Sequence, residues 1–425
     1  MHKGNFSPPR LKIKCEFLAL FPLWTLLLKK NFCCTDNLVN IAELTYRRMM
    51  KVGNDVLMLV LFIALCVAAS VQLFYYLRFY LAIALYKKAG VSRTGMPVSV
   101  IICARNEAEN LRRFLPSVLE QEYPSYEVIV VNDCSEDSTD DVLGDMLLRY
   151  PHLKVSMINK DPKFSHSKKF AQFIGIKAAE HDLLLFTDAD CKAESPKWIE
   201  MMVSGFSEGT NFVLGYGGYF NEKGILNTYI RYDTLFIGMQ YLGMAIRGIP
   251  YMGVGRNLAW KKALFFRNKG FGTHSHLASG DDDLFVNSNA TASTVSIELR
   301  PDSITRSVPA SSFAAFAKQK KRHMTTAKYY HLRHRILLLL EPVSRVIFYG
   351  LFIYLLSWLY LWPIVLAVFV LRAVIQGITF HLAGKKLKEQ GLVFFSFIFD
   401  LFSPLINFCL YLSTFRNRSA GKSWK

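Results

Sequence analysis

The sequence predicts an α/β fold, a mostly parallel sheet with helices on both of its faces, flanked by transmembrane helices. Three observations predict this arrangement. Short apolar runs alternate with helix-forming segments between residues 97 and 335, which is the pattern of βαβ units. Polar clusters follow three of those runs, at the strand ends where parallel sheets bind ligands. Longer apolar segments lie on both sides of this region.

The elements of the α/β region follow from the length and spacing of its apolar residues. Short apolar runs predict four strands, at Val98–Cys103, Tyr126–Asn132, Lys154–Ile158 and Leu183–Thr187. Helices are predicted between them, at Glu107–Leu119, Asp137–Leu148 and Lys168–Ala179. The alternation predicts that polar residues following the strands meet at one edge of the sheet.

The flanking segments divide the rest of the chain. Val56–Val71 carries no charge and predicts a membrane span. Aromatic residues and a proline at Trp358–Pro363 interrupt the apolar stretch 336–383, which indicates a hairpin of two spans. The segment 392–415 either spans or lies in the interface. The predicted parts are an uncertain leader (1–54), a transmembrane helix (55–86), an α/β domain (97–335), membrane helices (336–415) and a basic tail (416–425). The true start of the protein is expected near Met49, Met50 or Met58.

The composition narrows the classes of partner. The chain has 425 residues, of which 52% are hydrophobic, and a formal net charge of +18. Basic residues concentrate beside apolar segments, as at Lys87–Lys88, which predicts a lipid bilayer as partner. No nucleic acid is predicted, because the usual nucleic-acid-binding motifs are missing from the sequence. The eight cysteines show no Cys-x-x-Cys spacing, which predicts a reduced cytosolic domain without a zinc site.

Two acidic clusters carry the chemistry. Thr187–Asp190 ends the fourth apolar run, and strand geometry sends Asp188 and Asp190 to the same side of the chain. Carboxylate oxygens at a strand end suit Mg²⁺ or Mn²⁺, which in turn can hold a diphosphate. The alternative is that both residues cap a loop or a helix. The second cluster, Gly280–Leu284, contains three adjacent carboxylates that should raise one another's pKa, or it caps a following helix.

Four stretches, in this order and spacing, resemble the family 2 glycosyltransferases, the GT-A group that includes membrane-bound polysaccharide synthases. They are Val98–Glu107, Val130–Thr139, Thr187–Asp190 and Gly280–Leu284. The resemblance covers roughly residues 97–330 and implies a Rossmann-like GT-A catalytic domain. It also implies a nucleotide-diphosphate sugar as donor and Mg²⁺ or Mn²⁺ as cofactor.

The resemblance also implies a role for each matching residue on the donor side. The nucleotide is bound after the first strand by Arg105 and Glu107, and after the second strand by Asp133. Asn132 stands where the family usually has Asp. Lys168 lies near the diphosphate, at a helix N-terminus suited to phosphate, or belongs to a solvated basic turn.

The metal and the catalytic base follow from the same resemblance. Asp190 is implied as the direct metal ligand, while Asp188 faces the ribose or the metal. The base lies among Asp281, Asp282 and Asp283. Alignment on Asp283 makes Asp281 the base, which we favour, whereas alignment on Gly280 makes it Asp282.

A last motif lies close to the second membrane region. Gln319–His323 resembles the Gln-x-x-Arg-Trp motif of processive synthases, with His323 in place of Trp. Gln319 and Arg322 are then donor-binding residues, and Arg322 would bind the diphosphate. The alternative is a basic interfacial helix. His274 and His276 form only a weak metal signal, and an ordinary polar loop is favoured there.

The function predicted from these features is inverting transfer of a sugar to a lipid-linked or membrane-proximal glycan. The chain is expected in a membrane, of the bacterial inner-membrane type, with its catalytic domain in the cytosol. One alternative is a processive polysaccharide synthase, against which His323 and the small number of predicted spans argue. Another is a catalytically silent membrane scaffold, against which the intact acidic clusters argue.

Overall fold

A computed structural model of the protein describes residues 35–88, 95–160, 167–272, 277 and 279–416. Most of the predicted leader, His274, His276 and nearly all of the basic tail therefore lie outside the described residues. The chain forms two compact units, Met1–Ile63 and Ala64–Lys425. The described part of the first unit is helical, and its side chains from residue 43 onward are mostly exposed.

The second unit contains the sheet that the sequence predicts. In the described part of the chain the main sheet has seven strands, in the order β3-β2-β1-β4-β8-β6-β9, and β5-β10-β7 form a small second sheet. Neighbours among the first four strands are all parallel, whereas β8 runs antiparallel to β4 and β6. The strands are β1 Val98–Ala104, β2 Tyr126–Asp133, β3 Leu153–Ile158, β4 Leu183–Asp188, β5 Cys191–Ala193, β6 Phe212–Leu214, β7 Gly217–Tyr219, β8 Leu258–Lys261, β9 Val295–Ile297 and β10 Thr305–Ser307.

Helices cover both faces of the main sheet, as the sequence predicts. Alternate residues of β1 enter two separate hydrophobic cores: Val100 and Ile102 pack into one, and Ile101 into the other. The helices of this region are α3 Ala108–Phe114, α4 Pro116–Leu119, α5 Thr139–Leu147, α6 Lys168–Ala178, α7 Trp198–Val203, α8 Ile225–Ile246, α9 Lys262–Arg267, α10 Asp283–Asn289 and α11 Phe313–Met324. Burial on both faces explains why β1 to β4 are continuous apolar runs rather than alternating ones.

The prediction of one helix over Glu107–Leu119 is wrong. Two short helices, α3 and α4, occupy this stretch, and α4 begins at Pro116. Proline is favoured at the first position of a helix and lacks the N–H needed inside one, so Pro116 starts a new helix instead of continuing the first.

Within the described residues, four helical stretches are long and apolar enough to cross a membrane, Glu43–Leu85, Leu332–Ser357, Trp362–Lys386 and Val393–Thr414. The first comprises α1 Thr35–Tyr75, a π-helical turn Tyr76–Tyr80 and α2 Leu81–Leu85, and the last belongs to α14 Val393–Arg416. Helix α1 starts inside the predicted leader. The predicted hairpin turn joins α12, Leu332–Ser357, to α13, Trp362–Lys386, through two residues with positive φ, Leu359 and Leu361.

An ionic network of four buried residues joins three of these apolar helices. Arg345 of α12 contacts Glu341, one turn earlier, at 2.5 Å and Asp400 of α14 at 3.2 Å. Arg372 of α13 contacts Asp400 at 2.7 Å and also donates to Gln72 of α1 at 2.9 Å. We call Glu341, Arg345, Arg372 and Asp400 the intramembrane network. Its two cations balance its two anions.

Candidate active site

The turn after β4 brings two carboxylates together at the edge of the sheet. Asp188 is the last residue of β4, and Asp190 precedes β5. Carboxylate oxygens of both residues and Sγ of Cys191 all lie within 4.8 Å of one another. Asp190 also accepts a hydrogen bond of 2.9 Å from the hydroxyl of Ser307 in β10. The small sheet therefore holds Asp190, while the main sheet ends at Asp188.

Lys168 links this turn to the second acidic cluster. It is the first residue of α6, whose N-cap is Ser167. Its Nζ donates to Oδ1 of Asp188 at 2.6 Å and lies 3.7 Å from Oδ2 of Asp281. The three residues are far apart in sequence, yet one ammonium group lies between two carboxylates that the sequence assigned to donor binding and to the catalytic base.

The three adjacent aspartates differ sharply in their surroundings. Asp282 is the N-cap of α10, and its carboxylate accepts from the backbone N–H groups of Asp283 and Gly255. Asp283 is buried and accepts hydrogen bonds from the hydroxyl groups of Thr326 and Tyr330. The helix-cap alternative thus describes Asp282.

Asp281 differs from both, because it is buried but incompletely satisfied. Only 4% of Asp281 is exposed. Among the described residues, none donates a hydrogen bond to its Oδ2. This oxygen instead faces Lys168 across 3.7 Å. A buried carboxylate oxygen without a donor is costly, which sets Asp281 apart from Asp282 and Asp283.

The electrostatics separate the carboxylates further. Burial disfavours ionisation of Asp188, but Lys168, with smaller contributions from Arg256 and Arg322, holds the pKa of Asp188 below its ordinary value. Burial and the neighbouring Asp188 raise the pKa of Asp190. Burial also raises the pKa of Asp281, because Lys168 compensates only in part and Asp282 adds repulsion. A raised pKa suits a general base, whereas a lowered one suits a group that stays ionised.

The polar residues after β1 and β2 form a second part of the same edge. Ala104 is paired with Asn132, so the loops after these two strands are neighbours. Asn106 donates through its N–H to Ser135, and Glu107 donates through its N–H to Thr139. Glu107 is 7% exposed and Asp133 0%. The side chain of Asn132 is bonded to Ser135 and Asp140, so it fastens the loop after β2 to the start of α5.

Helix α11 carries the last predicted group. Gln319 donates to the hydroxyl of Tyr219 at 3.2 Å, and the guanidinium of Arg256 lies 4.2 Å from the centroid of the same ring. Arg322 and Arg256 both help to lower the pKa of Asp188, after the larger effects of burial and Lys168. Both arginines therefore act electrostatically on the acidic turn. Arg105 is half-buried in the loop that follows β1.

Two residues of this edge had been given no role of their own. Arg256 lies in a glycine-rich stretch, Gly253–Trp260. Its position directly after Gly253–Gly255 was the available signal. Ser307 belongs to a strand of three residues, too short for a visible pattern, and no sequence signal indicated its hydrogen bond to Asp190.

Comparisons with known proteins agree with this fold. Residues 99–263 match the family model described as glycosyl transferase family 2. The chain is 36% identical to glycosyltransferase AglE of Haloferax volcanii over 112 residues. This aligned stretch is 26% of this chain and 35% of that protein. The chain is 32% identical to the poly-β-1,6-N-acetyl-D-glucosamine synthase of Staphylococcus epidermidis over 93 residues. This stretch is 22% of this chain and 21% of that synthase.

A solved structure extends the likeness beyond the matched segment. The mannosyltransferase PcManGT of Pyrobaculum calidifontis, in complex with GDP-Man and Mn²⁺, aligns with a TM-score of 0.53 at 19% identity. The alignment covers 81% of this chain and 99% of that one. The predicted fold class, a mixed α/β domain of GT-A type, is confirmed. Asp281 and Arg322 lie outside the segment matched by the family model, and the chain spans about a third or less of the two curated relatives.

Proposed function

We propose, from the premise that residues 99–263 belong to glycosyl transferase family 2, that this chain is a membrane-anchored inverting glycosyltransferase. It transfers a sugar from a nucleotide-diphosphate donor to a lipid-linked or membrane-proximal glycan. The observation that carries the proposal is the convergence of Asp188 and Asp281 on Lys168 at the edge of the sheet, with Asp190 beside Asp188. Ligands of open α/β sheets bind at this edge.

The acidic turn has the donor chemistry that a hard divalent cation requires. Asp188 and Asp190 offer carboxylate oxygens, the ligands preferred by Mg²⁺ and Mn²⁺. Burial raises the pKa of the Cys191 thiol well above its ordinary value. A bound cation would neutralise the charge that develops on the leaving nucleoside diphosphate.

The residues of the chain divide the remaining work. Glu107 and Asp133 hold the nucleoside, and Lys168 with Arg322 faces the diphosphate. Asp281 accepts the proton of the acceptor hydroxyl as its oxygen attacks the anomeric carbon. The bond between the anomeric carbon and the diphosphate oxygen breaks at the same time, and the configuration inverts. The proton ends on Asp281, and the diphosphate leaves with the bonding electrons.

The same proposal sets the orientation in the membrane. Nucleotide sugars are cytosolic, and Lys87–Lys88 and Lys385–Lys386 border the catalytic domain at the ends of apolar helices. The catalytic domain therefore faces the cytosol. Thiol labelling of intact cells tests this orientation, since modification of Cys134 only from the outer side would contradict it.

The first experiment tests donor, metal and product together. Purified full-length protein is incubated with a panel of nucleotide sugars and Mg²⁺ or Mn²⁺, with and without EDTA, and hydrolysis and transfer are measured. We expect turnover of one donor class that EDTA abolishes. Asp190→Ala should lower turnover by about 10²-fold or more, because a metal supplies several kcal/mol of charge stabilisation.

A matched variant separates a lost ligand from a lost charge. Asp145→Ala removes an exposed acid from α5 and should leave turnover unchanged. Full activity in EDTA would remove the metal from the proposal. Turnover of no donor in the presence of metal would favour the silent scaffold, and long polymers would favour a processive synthase.

A further inference from the structure

The connection between α13 and α14 contacts the catalytic domain. We call residues 387–392 the hairpin loop; it joins two helices that are apolar enough to span a membrane. Its Leu387, Glu389 and Leu392 are at most 3% exposed. A loop between membrane helices usually meets water, so this burial requires a partner with matching polar groups.

Glu389 is the residue of the hairpin loop whose carboxylate pairs with the catalytic domain. Its Oε2 accepts from Nε of Arg231 in α8 at 3.0 Å and lies 2.8 Å from Nη2 of the same residue. Its Oε1 accepts from Nη1 of Arg306 in β10 and from the hydroxyl of Tyr216 at 3.2 Å. The Glu389 side chain is fully buried, and those of Arg231 and Arg306 are each 7% exposed. One carboxylate thus pairs with two buried guanidinium groups, and the three side chains together keep one net positive charge.

Both arginines also hold the backbone of the hairpin loop. Arg306 donates through Nη2 to the carbonyl groups of Leu387, at 3.1 Å, and Lys388, at 2.9 Å. Arg231 donates through Nη2 to the carbonyl group of Gln390 at 3.1 Å. Five hydrogen bonds from these two arginines reach four consecutive residues, 387–390, and so fix position as well as charge, which a surface ion pair does not do.

The packing leaves no room for a side chain at this contact. Gly218 of β7 is paired with Arg306, and a Cβ at Gly218 would lie 2.7 Å from Oε1 of Glu389. A Cβ at Gly384, at the end of α13, would lie 2.5 Å from the carbonyl oxygen of Glu389. Gly218 therefore permits the close approach of the hairpin loop to the small sheet, and Gly384 permits the loop to pack against the end of α13.

The next residue of β10, Ser307, contacts the turn between β4 and β5 that carries Asp188 and Asp190. Ser307 donates to Asp190 at 2.9 Å and is paired with Cys191 on one side and Tyr219 on the other. Arg306 and Ser307 share one peptide bond, so the strand that binds the hairpin loop also orients Asp190. A shift of Arg306 therefore moves the hydroxyl that holds Asp190.

We infer that Glu389 is a positioning residue through which the hairpin loop, residues 387–392 between α13 and α14, sets the geometry of Asp190. The inference rests on the proposed function, since it assigns metal binding to Asp190. Without its charge, Glu389 leaves two buried cations uncompensated, and β10 must move to let Arg306 reach water. Partners that orient a metal ligand typically contribute 10–100-fold to metal affinity.

The test is Glu389→Gln, which preserves size but removes the charge. Full-length protein is titrated with Mn²⁺ alone, and the loss of the free-ion electron paramagnetic resonance signal gives the dissociation constant. We expect that constant to rise about 10-fold or more, and the Mn²⁺ concentration for half-maximal donor hydrolysis to rise in parallel.

Glu298→Gln is the matched control. Glu298 is equally buried and also sits between two cations, Lys88 at 2.6 Å and Arg300 at 2.5 Å, but it contacts neither β10 nor the acidic turn. Its substitution should lower thermal stability and leave the Mn²⁺ constant within about twofold, since it touches no metal ligand.

The outcomes separate the two proposals. Wild-type protein that binds no Mn²⁺ overturns the metal part of the proposed function, and the inference with it. Wild-type binding with an unchanged constant in folded Glu389→Gln overturns the inference alone. An equal rise in Glu298→Gln would also overturn it, because general destabilisation would then explain the effect. If Glu389→Gln does not fold, Glu389→Asp keeps the charge, shortens the side chain, and should raise the constant in the same direction.

Discussion

The acidic site and the intramembrane network both contain charged residues buried away from water, but the carboxylates of the two regions differ in their hydrogen-bond partners. In the intramembrane network, Asp400 is bonded through both oxygens, to Arg345 through one and to Arg372 through the other. At the site, Asp281 is equally buried and has an oxygen that accepts no hydrogen bond among the described residues. Asp188 remains 29% exposed there.

The difference teaches how to interpret a buried charge in this chain. An ionisable residue inside a membrane segment is by default a candidate for function. Arg345 and Arg372 are nevertheless paired with an equal number of acids, and Arg372 also donates to Gln72, so their geometry is that of a cross-link between helices. An unsatisfied acceptor next to partly exposed carboxylates is the feature that indicates chemistry.

The largest effect should come from Asp281→Asn. The variant keeps the size of the side chain but cannot take the acceptor's proton, so transfer should fall by about 10²–10⁴-fold. Donor affinity should be unchanged, and the melting temperature should be equal or higher, because a carboxylate whose burial is unfavourable has been removed. Transfer kinetics, donor binding and thermal unfolding measure the three quantities.

The neighbouring aspartates are the controls for this prediction. Asp282→Asn alters a helix cap and should reduce stability, by about 1 kcal/mol or less, more than the rate of transfer. If Asp282→Asn rather than Asp281→Asn shows a pure loss of rate, the base is Asp282 and the alternative alignment is right. If both variants transfer normally, the cluster is a helix cap and the comparison with the intramembrane network fails.

The second effect should be on stability, at Asp400→Asn. Removing this charge leaves Arg345 and Arg372 buried without their shared partner, which costs about 3–5 kcal/mol. Unfolding in detergent should therefore shift strongly, while the turnover of the folded fraction stays near the wild-type value.

Two further variants sharpen this second prediction. Ser413→Ala removes a hydroxyl of the same helix that bonds only within it, to Leu410, and should change stability by less than about 0.5 kcal/mol. A second substitution, Arg372→Gln, should restore part of the loss in Asp400→Asn, because it removes a stranded charge. A folded Asp400→Asn that has lost turnover would give the network a functional role.

The two regions also differ in how far the sequence predicted them. Strands β1 to β4 lie within about one residue of their predicted bounds, because a strand buried on both faces is a continuous apolar run. The ends of those strands carry Glu107, Asp133 and Asp188, so one edge of the site could be placed from the sequence. The intramembrane network was not predicted, since charges on three helices pair only when those helices pack.

The contacts that join the site to the rest of the molecule were equally hidden. Glu389 and Arg306 are 83 residues apart, and the strand that carries Arg306 has three residues. A period of two cannot be recognised in three residues. Sequence pattern therefore indicated candidate residues for the chemistry, whereas long-range packing determines which residues hold them in place.

The smallest effect expected is a pH dependence of stability that comes from Asp283. Burial, followed by repulsion from Asp282, raises the pKa of Asp283 to about 7. Between the ordinary pKa of an aspartate and about 7, the folded state binds this proton more tightly than the unfolded state does. The free energy of unfolding should therefore fall as the pH rises through this window and level off above it. The slope cannot exceed that of one proton, about 1.4 kcal/mol per pH unit.

Asp283→Asn should remove this slope, because the amide does not titrate and still reaches the hydroxyl groups of Thr326 and Tyr330. Thermal unfolding of both proteins between about pH 5 and pH 8 measures the difference. Asp302→Asn, at an exposed acid, should keep the wild-type slope. A slope that survives in Asp283→Asn would assign it to Asp281 or Asp190, whose pKa values burial also raises, and Asp281→Asn separates the two. If the slope belongs to Asp281, its substitution flattens the curve, and a single substitution would remove both the catalytic base and the pH dependence of stability.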